Sequence, residues 1–234
     1  MSDTIAYGWP PAPPSQEVRL AGLILAAGKS ERMGLPKALL PFHGKTFIES
    51  LVERFLEVGV DPLYVVTRRE HEAALRKRLP ANVRLAFIDR PDAGQLDSVR
   101  AGLTAIGGIG HGVLMGLVDQ PSVEKRTLDK VIARWKETRA RVVVPRYDGL
   151  RGHPMVIGRS AFPHIFRGEP ESLREALDVM HDGIESVDVA DPWVLLNVNL
   201  PDDYRRLIQF HGSDAEKAVA DPWQAAAASL AAST

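Results

Sequence analysis

Residues 20–37 read LAGLILAAGKSERMGLPK and combine an apolar run with a loop that contains small and basic residues. The continuous apolar run Leu20–Ala26 ends at Gly28, which is the pattern of a strand buried on both faces of a parallel sheet. Beyond the loop, apolar residues recur at helical spacing over Thr46–Val58, and Thr46 stands where it would cap the helix N-terminus. The stretch therefore predicts a strand, a glycine-containing loop and a helix that follows them.

Strands and helices continue to alternate along the chain. We predict strands at Leu63–Thr67, Val83–Ile88, Gly112–Val118, Arg141–Pro145, Met155–Ile157, Ile184–Val189 and Val194–Val198. We predict helices at Glu70–Leu79, Gln95–Ile106, Val123–Thr138, Ala161–Phe166, Ser172–Met180 and Pro201–Phe210. This order indicates an α/β fold, a single Rossmann-like three-layer α/β/α domain with a mostly parallel mixed sheet. Ligands bind beyond the carboxyl ends of such strands, which draws attention to Gly28–Lys37, Asp119 and Asn199.

The composition excludes several classes of protein. The chain has 234 residues with 29 Lys and Arg against 30 Asp and Glu, so it lacks the basic excess that sequence-independent nucleic-acid binding needs. It has no cysteine, which excludes disulfides, thiolate zinc sites and iron–sulfur clusters. No apolar stretch approaches the roughly 20 residues of a bilayer span, and the N-terminus lacks a signal-peptide pattern. We therefore expect a cytoplasmic protein with no membrane partner.

Two terminal segments differ in composition from the rest of the chain. Residues 1–17 hold four prolines and little apolar periodicity, so we expect an extended arm there. Residues 213–234 are rich in alanine and predict either a frayed helix or no regular structure. Trp223 is the residue in that tail with enough apolar area to dock onto the domain, which we place at residues 18–212.

The loop that follows the first strand has the features of a phosphate-binding loop. A turn of small residues lets backbone N–H groups approach phosphate oxygens, and Arg32 and Lys37 add positive charge. The loop does not contain the P-loop pattern, because that pattern needs glycine at the position of Leu23. It also lacks the Gly-x-Gly-x-x-Gly dinucleotide fingerprint. An ordinary turn with two solvated cations remains the alternative interpretation.

The loop sequence Leu25–Lys37 resembles the signature of the nucleotidyltransferase superfamily. Further motifs follow in the order that this family has: VDQP at 118–121, GHP at 152–154 and NVNLPDDY at 197–204. The resemblance covers roughly residues 20–210. The compact spacing of nine residues from Gly28 to Lys37 is similar to the molybdenum-cofactor branch, the cytidylyl- and guanylyltransferases with a MobA-like NTP transferase domain. The Ala26-Ala27-Gly28 sequence favours the cytidylyltransferase.

Asp119 comes where an apolar strand is predicted to end, and its carboxylate has three interpretations. It could cap the next helix, pair with a basic side chain or bind a divalent metal. The resemblance implies the third, with Mg²⁺ held by Asp119 and Asn199 and with Asn197 as the competing second ligand. Mg²⁺ commonly takes one or two protein oxygens together with water and substrate phosphates, which suits this small set.

The resemblance also implies a reaction and the residues that carry it. The acceptor phosphate would attack the α-phosphorus of an NTP and release pyrophosphate, with Arg32, Lys37 and Asp119 as the catalytic residues. The nucleotide-binding residues would be Leu25, Ala26, Ala27, Gly28, Arg32, Lys37, Gln95, Ser98 and Asp119. His153 and Arg174 are candidates for the acceptor side, although residues 167–175 depart from the branch's usual pattern and leave the acceptor in doubt.

Three functions remain open on the sequence alone. The first is transfer of a nucleotide to molybdopterin or molybdenum cofactor, which would bring in a molybdoenzyme as a partner. The second has the same chemistry on a sugar- or alcohol-phosphate. The third is a non-catalytic accessory protein that delivers a cofactor. Such a protein only binds its ligand and would not need a metal site at the α-phosphate.

Overall fold

Strand β1 (Leu20–Leu25) is buried along its whole length, as its apolar sequence predicts. Leu20 and Ile24 enter one core cluster, whereas Leu23 and Leu25 enter another, so alternate side chains face opposite sides of the sheet. The structure is a computed structural model that describes residues 18–90, 92–107, 109–167 and 170–231. The predicted arm at residues 1–17 lies outside them.

The other strands form a small hairpin and the rest of a mixed sheet. They are β2 (Pro41–Phe42), β3 (Lys45–Thr46), β4 (Leu63–Thr67), β5 (Arg84–Phe87), β6 (Gly112–Leu117), β7 (Val142–Tyr147), β8 (Leu150–Arg151), β9 (Met155–Gly158) and β10 (Ile184–Asp188). The main sheet has the order β10-β7-β9-β6-β1-β4-β5, with β8 paired to β7. Its neighbours pair in parallel except β9 with β6 and β7, and β8 with β7. The predicted mostly parallel mixed sheet is confirmed.

Helices cover both faces of this sheet. They are α1 (Phe47–Glu57), α2 (Glu72–Arg76), α3 (Gln95–Ile106), α4 (Lys125–Thr138), α5 (Phe162–Phe166), α6 (Leu173–Asp178), α7 (Pro201–His211), α8 (Asp214–Lys217) and α9 (Pro222–Ala231). Helices α1, α4 and α7 contribute to one apolar cluster, and α3, α5 and α6 contribute to the other. This arrangement is the predicted three-layer α/β/α domain.

Helix α1 shows how the sequence sets both the start and the packing of a helix. Thr46 accepts a hydrogen bond from the Glu49 amide at 3.4 Å and is therefore the predicted N-cap. The helix approaches the sheet closely because Gly116 has no side chain. A Cβ atom at Gly116 would lie 2.8 Å from Cζ of Phe55. The predicted helix at Glu70–Leu79 is shorter than expected, since a 3₁₀ turn precedes α2.

The predicted strand at Val194–Val198 is wrong. Pro192–Leu195 instead forms a 3₁₀ turn, and the fully buried carboxylate of Asp191 accepts a hydrogen bond from the Trp193 amide at 3.1 Å. The same carboxylate accepts a bond of 2.7 Å from the Thr127 hydroxyl and so ties the turn to α4. The apolar pattern that predicts a strand here arises because Val194 and Val198 are buried in a core cluster.

The C-terminal tail is helical where the structure describes it. Helix α9 buries Ala226, and the Trp223 ring lies 5.9 Å from the Tyr204 ring of α7, centroid to centroid. The tail therefore packs on the same side of the sheet as α7. Among the described helices, none has the length and apolar character that crossing a bilayer requires.

Candidate functional site

A cavity of about 660 Å³ lies at the carboxyl ends of strands β1, β4, β5 and β6. The predicted site residues that line it are Leu25, Ala26, Ala27, Gly28, Arg32, Lys37, Gln95, Ser98, Asp119, His153, Asn197 and Asn199. Arg174, on α6, is not part of the lining that the described residues form. The structure thus gathers these distant side chains, Arg174 excepted, around one space.

The loop after β1 is held in an unusual backbone conformation. Ser30 has a φ of 54°, which is uncommon for a residue other than glycine, and its carbonyl oxygen accepts 2.9 Å hydrogen bonds from the amides of Met33 and Gly34. The Ser30 hydroxyl donates to the Gly28 carbonyl and accepts from the Lys37 amide, both at 3.4 Å. Such constrained backbone is common at ligand-binding sites.

The backbone at Gly28 is open toward the cavity. A Cβ atom built at Gly28 would have no heavy atom within 4 Å, so the fold itself leaves room for a side chain there. The neighbouring Ala27 is fixed from behind, because Nε of Arg68 donates a 3.0 Å hydrogen bond to its carbonyl oxygen. Sequence reasoning missed Arg68, although its position directly after the last residue of β4, Thr67, is a usable signal.

The other two basic residues of the loop, Lys29 and Arg32, differ in whether they form an ion pair. Lys29 forms a 3.3 Å ion pair with Glu31 of the same loop. Arg32 is exposed and lines the cavity, and within the described part of the chain it has no hydrogen bond or ion pair. Its guanidinium therefore remains available for an anionic ligand, to which it could bind in bidentate fashion.

Lys37 joins the two predicted metal ligands. Its Nζ lies 3.0 Å from Oδ2 of Asp119 and 2.7 Å from Oδ1 of Asn199. The side chains of Lys37 and Asp119 are only 14% and 19% exposed, so this ion pair is largely shielded from bulk water. Residues that lie far apart in the sequence thus meet at one point of the cavity wall.

The closing segment places Asn199, rather than Asn197, beside Asp119. The Val198 amide donates to the backbone oxygen of Asp119 at 2.9 Å, and the Asp203 carboxylate accepts from the Asn199 amide at 3.0 Å. Oδ1 of Asn197 is instead engaged by Nε2 of Gln120 at 3.1 Å.

Gln120 is a further residue that sequence reasoning missed. It is 3% exposed, and its Nε2 also donates to the Val194 carbonyl at 3.1 Å, so it fastens the closing segment to the end of β6. Its place next to Asp119 in the VDQP motif is a signal that could have identified it.

The oxygen atoms of Asp119 and Asn199 fit a divalent cation. Carboxylate and amide oxygens are the hard ligands that Mg²⁺ prefers, and both already contact a single cationic group, the Lys37 ammonium. Among the described residues, no group of three or more His, Asp or Glu side chains could hold a metal. The set is therefore of the sparse kind that needs substrate oxygens and water to complete the shell.

The N-terminus of α3 forms another wall of the cavity. The Asp97 carboxylate accepts a 2.8 Å hydrogen bond from the Gly94 amide and so caps the helix. The Ser98 hydroxyl is buried and donates to the Gly94 carbonyl at 3.3 Å, whereas Gln95 is exposed. Gln95 is thus the freer of the two predicted side chains to meet a ligand.

The GHP motif has a structural function in addition to lining the cavity. A Cβ atom at Gly152 would lie 2.2 Å from the Val194 carbonyl oxygen, so only glycine fits there without displacing backbone. The His153 amide donates to that same oxygen at 3.1 Å. Burial lowers the pKa of His153 to about 4, and the negative charge of Asp119 partly opposes this shift. Its buried Nε2 has no hydrogen-bond partner within the described residues.

Residues 22–187 match the model of the MobA-like NTP transferase domain. The chain belongs to this family. The matched residues include the loop after β1, Asp119 and the GHP motif, whereas Asn199 lies beyond them.

Relatives of this chain carry names of different functions. The molybdenum cofactor cytidylyltransferase of Escherichia coli is 28% identical over 189 residues, which cover 78% of this chain and 92% of that protein. A probable molybdenum cofactor guanylyltransferase of Methanosarcina acetivorans is 28% identical over 220 residues, covering 83% and 92%. The nicotine blue oxidoreductase of Paenarthrobacter nicotinovorans is 30% identical over 154 residues, covering 62% and 74%.

Solved structures extend the likeness to three dimensions. Rv0371c of Mycobacterium tuberculosis has a TM-score of 0.71 and 27% identity, over 83% of this chain and all of that protein. A second structure of Rv0371c, in complex with manganese, has a TM-score of 0.67 and 26% identity, over 82% of this chain and 98% of that protein.

Proposed function

We propose that this protein is a Mg²⁺-dependent nucleotidyltransferase that transfers the NMP part of an NTP, with CTP favoured, to a phosphate acceptor. The proposed acceptor is molybdopterin or molybdenum cofactor, and the second product is pyrophosphate. The observation that carries the proposal is the meeting of Lys37, Asp119 and Asn199 beside the loop, with distances of 3.0 and 2.7 Å from Lys37 Nζ. The E. coli and Methanosarcina relatives support this reaction class by name.

In the proposed reaction, an acceptor phosphate oxygen bonds to the α-phosphorus as the bond to the β-phosphate bridging oxygen breaks. The loop amides around Gly28 bind the phosphates. The Arg32 guanidinium, which has no hydrogen bond or ion pair among the described residues, binds the β- and γ-phosphates. The Lys37 ammonium neutralises charge that develops at the α-phosphate. Such fixed positive groups stabilise the transition state without reorganisation, which is the main form of catalysis in phosphoryl transfer.

Asp119 and Asn199 would hold Mg²⁺. When bound, the ion would supply charge neutralisation for the reacting phosphates. Manganese in the structure of Rv0371c supports a divalent cation in this type of protein. The hydrogen bonds from the Asn199 amide to Asp203 and from the Val198 amide to the Asp119 backbone oxygen would keep the backbone of the two ligands in place. Gln120 fastens the same segment through Asn197.

The base and acceptor preferences rest on more local features. The Ala26-Ala27-Gly28 sequence favours CTP over GTP, and Gln95 and Ser98 stand where base and ribose would lie. We assign His153 to the acceptor side, because it lines the cavity and burial keeps its ring neutral by lowering its pKa to about 4. Arg174 is left out of the proposed site, since it does not line the cavity.

A redox function, suggested by the name of the Paenarthrobacter relative, is the second candidate. The loop after β1 does not favour it, because it lacks the Gly-x-Gly-x-x-Gly pattern that a nicotinamide dinucleotide needs. The loop instead places three cations at the cavity, Lys29, Arg32 and Lys37, which suit a polyphosphate.

The decisive experiment measures pyrophosphate release for each of CTP, GTP, ATP and UTP with Mg²⁺ and each candidate acceptor. We expect CTP with molybdenum cofactor to be the most active pair. Lys37→Ala and Asp119→Ala should each lower the rate by about 10²–10³, the usual cost of losing one preorganised charged group. Lys130→Ala is the matched control, because Lys130 is exposed on α4 and does not line the cavity formed by the described residues.

Binding of nucleotide without pyrophosphate release for any acceptor would contradict the enzyme proposal and favour an accessory protein. Nucleotide binding is measured separately by thermal shift. A ligand at 100 times its Kd stabilises the folded protein by about 2.7 kcal/mol, which is easily detected.

A further inference from the structure

The Lys37 ammonium contacts the same two oxygens that the proposed function assigns to the divalent cation. Nζ lies 3.0 Å from Oδ2 of Asp119 and 2.7 Å from Oδ1 of Asn199, which are hydrogen-bond distances. Mg²⁺ binds such oxygens at about 2.0–2.1 Å and needs their lone pairs. An ammonium and a divalent cation on the same two oxygens would be close neighbours of like charge, so the ammonium opposes binding of the cation as long as it stays in place.

The backbone of Lys37 is fixed, but its side chain can change partner. Lys37 begins a 3₁₀ turn at Lys37–Leu39, its amide donates to the Ser30 hydroxyl at 3.4 Å, and the following Ala38 is buried. The aliphatic stem of a lysine rotates freely about several bonds, and its ammonium group has no acceptor through which it could bind a metal. The side chain lines the cavity, so phosphate oxygens bound there would come within its reach.

We propose that Lys37 competes with the divalent cation for Asp119 and Asn199 and keeps the affinity of the nucleotide-free protein for the cation low. This inference rests on the proposed function, because that function makes the two oxygens a metal site. A triphosphate in the loop offers the ammonium new anionic acceptors and so frees both oxygens. Cation and nucleotide then favour each other's binding, since energetic coupling between two ligands is reciprocal.

A purely structural ion pair makes the opposite prediction. If Lys37 only braced Asp119 and Asn199, removing its charge would loosen the two ligands and weaken cation binding. If Lys37 competes, removing its charge while keeping its length strengthens cation binding. The direction of the change therefore distinguishes the two interpretations.

The experiment is a titration of the nucleotide-free protein with Mn²⁺, in which electron paramagnetic resonance counts the free ion. We expect Lys37→Met, which keeps an unbranched stem, to bind Mn²⁺ at least tenfold more tightly than the unmodified protein. Lys37→Gln is the second variant, and circular dichroism checks that both fold. Lys130→Met is the matched control and should leave the affinity unchanged, because Lys130 is exposed on α4 and does not line the cavity formed by the described residues.

Adding Asp119→Asn to Lys37→Met should abolish the gain, which locates the ion at this site. Unchanged or weaker Mn²⁺ binding in both folded Lys37 variants would overturn the proposal. Failure of the proposed function is distinguishable, because it appears as absent pyrophosphate release. A gain in Mn²⁺ affinity alongside absent release would uphold the competition and refute only the assigned reaction.

Discussion

Adding one methyl group at Gly28 should stabilise the fold and weaken nucleotide binding at the same time. The new Cβ atom would meet no heavy atom within 4 Å, and Gly28 is not among the glycines with positive φ. Alanine in a compatible conformation reduces the entropy of the unfolded chain and stabilises a protein by about 0.4–1 kcal/mol. For a domain of this size, the melting temperature should rise by about 1–4 °C.

The cost of Gly28→Ala should appear only when a nucleotide is present. In the proposed function the backbone around Gly28 donates hydrogen bonds to phosphate oxygens, and a methyl group on the cavity side would prevent the close approach. Losing one hydrogen bond to a charged group costs about 1.5–3 kcal/mol. That free energy corresponds to a loss in CTP affinity of about 10- to 150-fold.

Isothermal titration with CTP and Mg²⁺, together with a thermal melt of the free protein, measures both effects. Gly149→Ala is the control with the reverse pattern. Gly149 has a φ of 77° and does not line the cavity, so alanine there should destabilise the fold by about 1–2 kcal/mol and leave CTP affinity unchanged. Native CTP affinity in folded Gly28→Ala would refute the assignment of this loop to phosphate.

Three further predictions concern residues around the same cavity. Burial lowers the pKa of His153 to about 4, so between pH 6.5 and 4 only the unfolded state takes up a proton at this residue. The unfolding free energy should therefore fall by about 3 kcal/mol as the pH drops through that window. Urea titrations should show this fall flattened in His153→Gln, and an equal fall in both proteins would contradict the assignment. Gly152→Ala should lower the unfolding free energy by about 3 kcal/mol, since its Cβ would lie 2.2 Å from the Val194 carbonyl oxygen. A variant that unfolds at the native urea midpoint would disprove this close packing. Gln120→Leu should raise the Mg²⁺ concentration for half-maximal pyrophosphate release by up to about tenfold, because Gln120 fastens the segment that carries Asn199 but bonds to neither metal ligand. Ser122→Ala, which removes a buried hydroxyl without a hydrogen-bond partner in the described chain, is the control and should leave that Mg²⁺ requirement unchanged.

The periodicity of the sequence predicts the elements that depend on local pattern. Strand β1 is apolar at every position and buried at every position, and the alternating clusters on its two sides follow from the geometry of a strand. Helix α3 begins and ends at the predicted residues, Gln95 and Ile106. In these segments the local propensity and the packing agree, so the pattern suffices.

Prediction fails where distant contacts decide the backbone. The segment Val194–Val198 is apolar because it packs into the core, as the prediction of a strand assumed. Its backbone conformation, however, is set by contacts with Asp191, Gln120 and Gly152. None of these contacts appears as a periodicity within the segment itself. The sequence does not show whether Asn197 or Asn199 is the second metal ligand, for the same reason. The hydrogen bond from Gln120 that occupies Oδ1 of Asn197 is a contact between distant residues.

The meeting of Lys37, Asp119 and Asn199 could be anticipated from topology but not from spacing. Lys37 is 82 positions from Asp119 and 162 from Asn199, so no local pattern relates them. Strands β1 and β6 are parallel neighbours, however, and the residues that follow them must emerge at the same edge of the sheet. Topology thus places the lysine and the carboxylate near each other. The side-chain amide of Asn199 is brought there by the hydrogen bonds of the closing segment, which no local pattern of the sequence predicts.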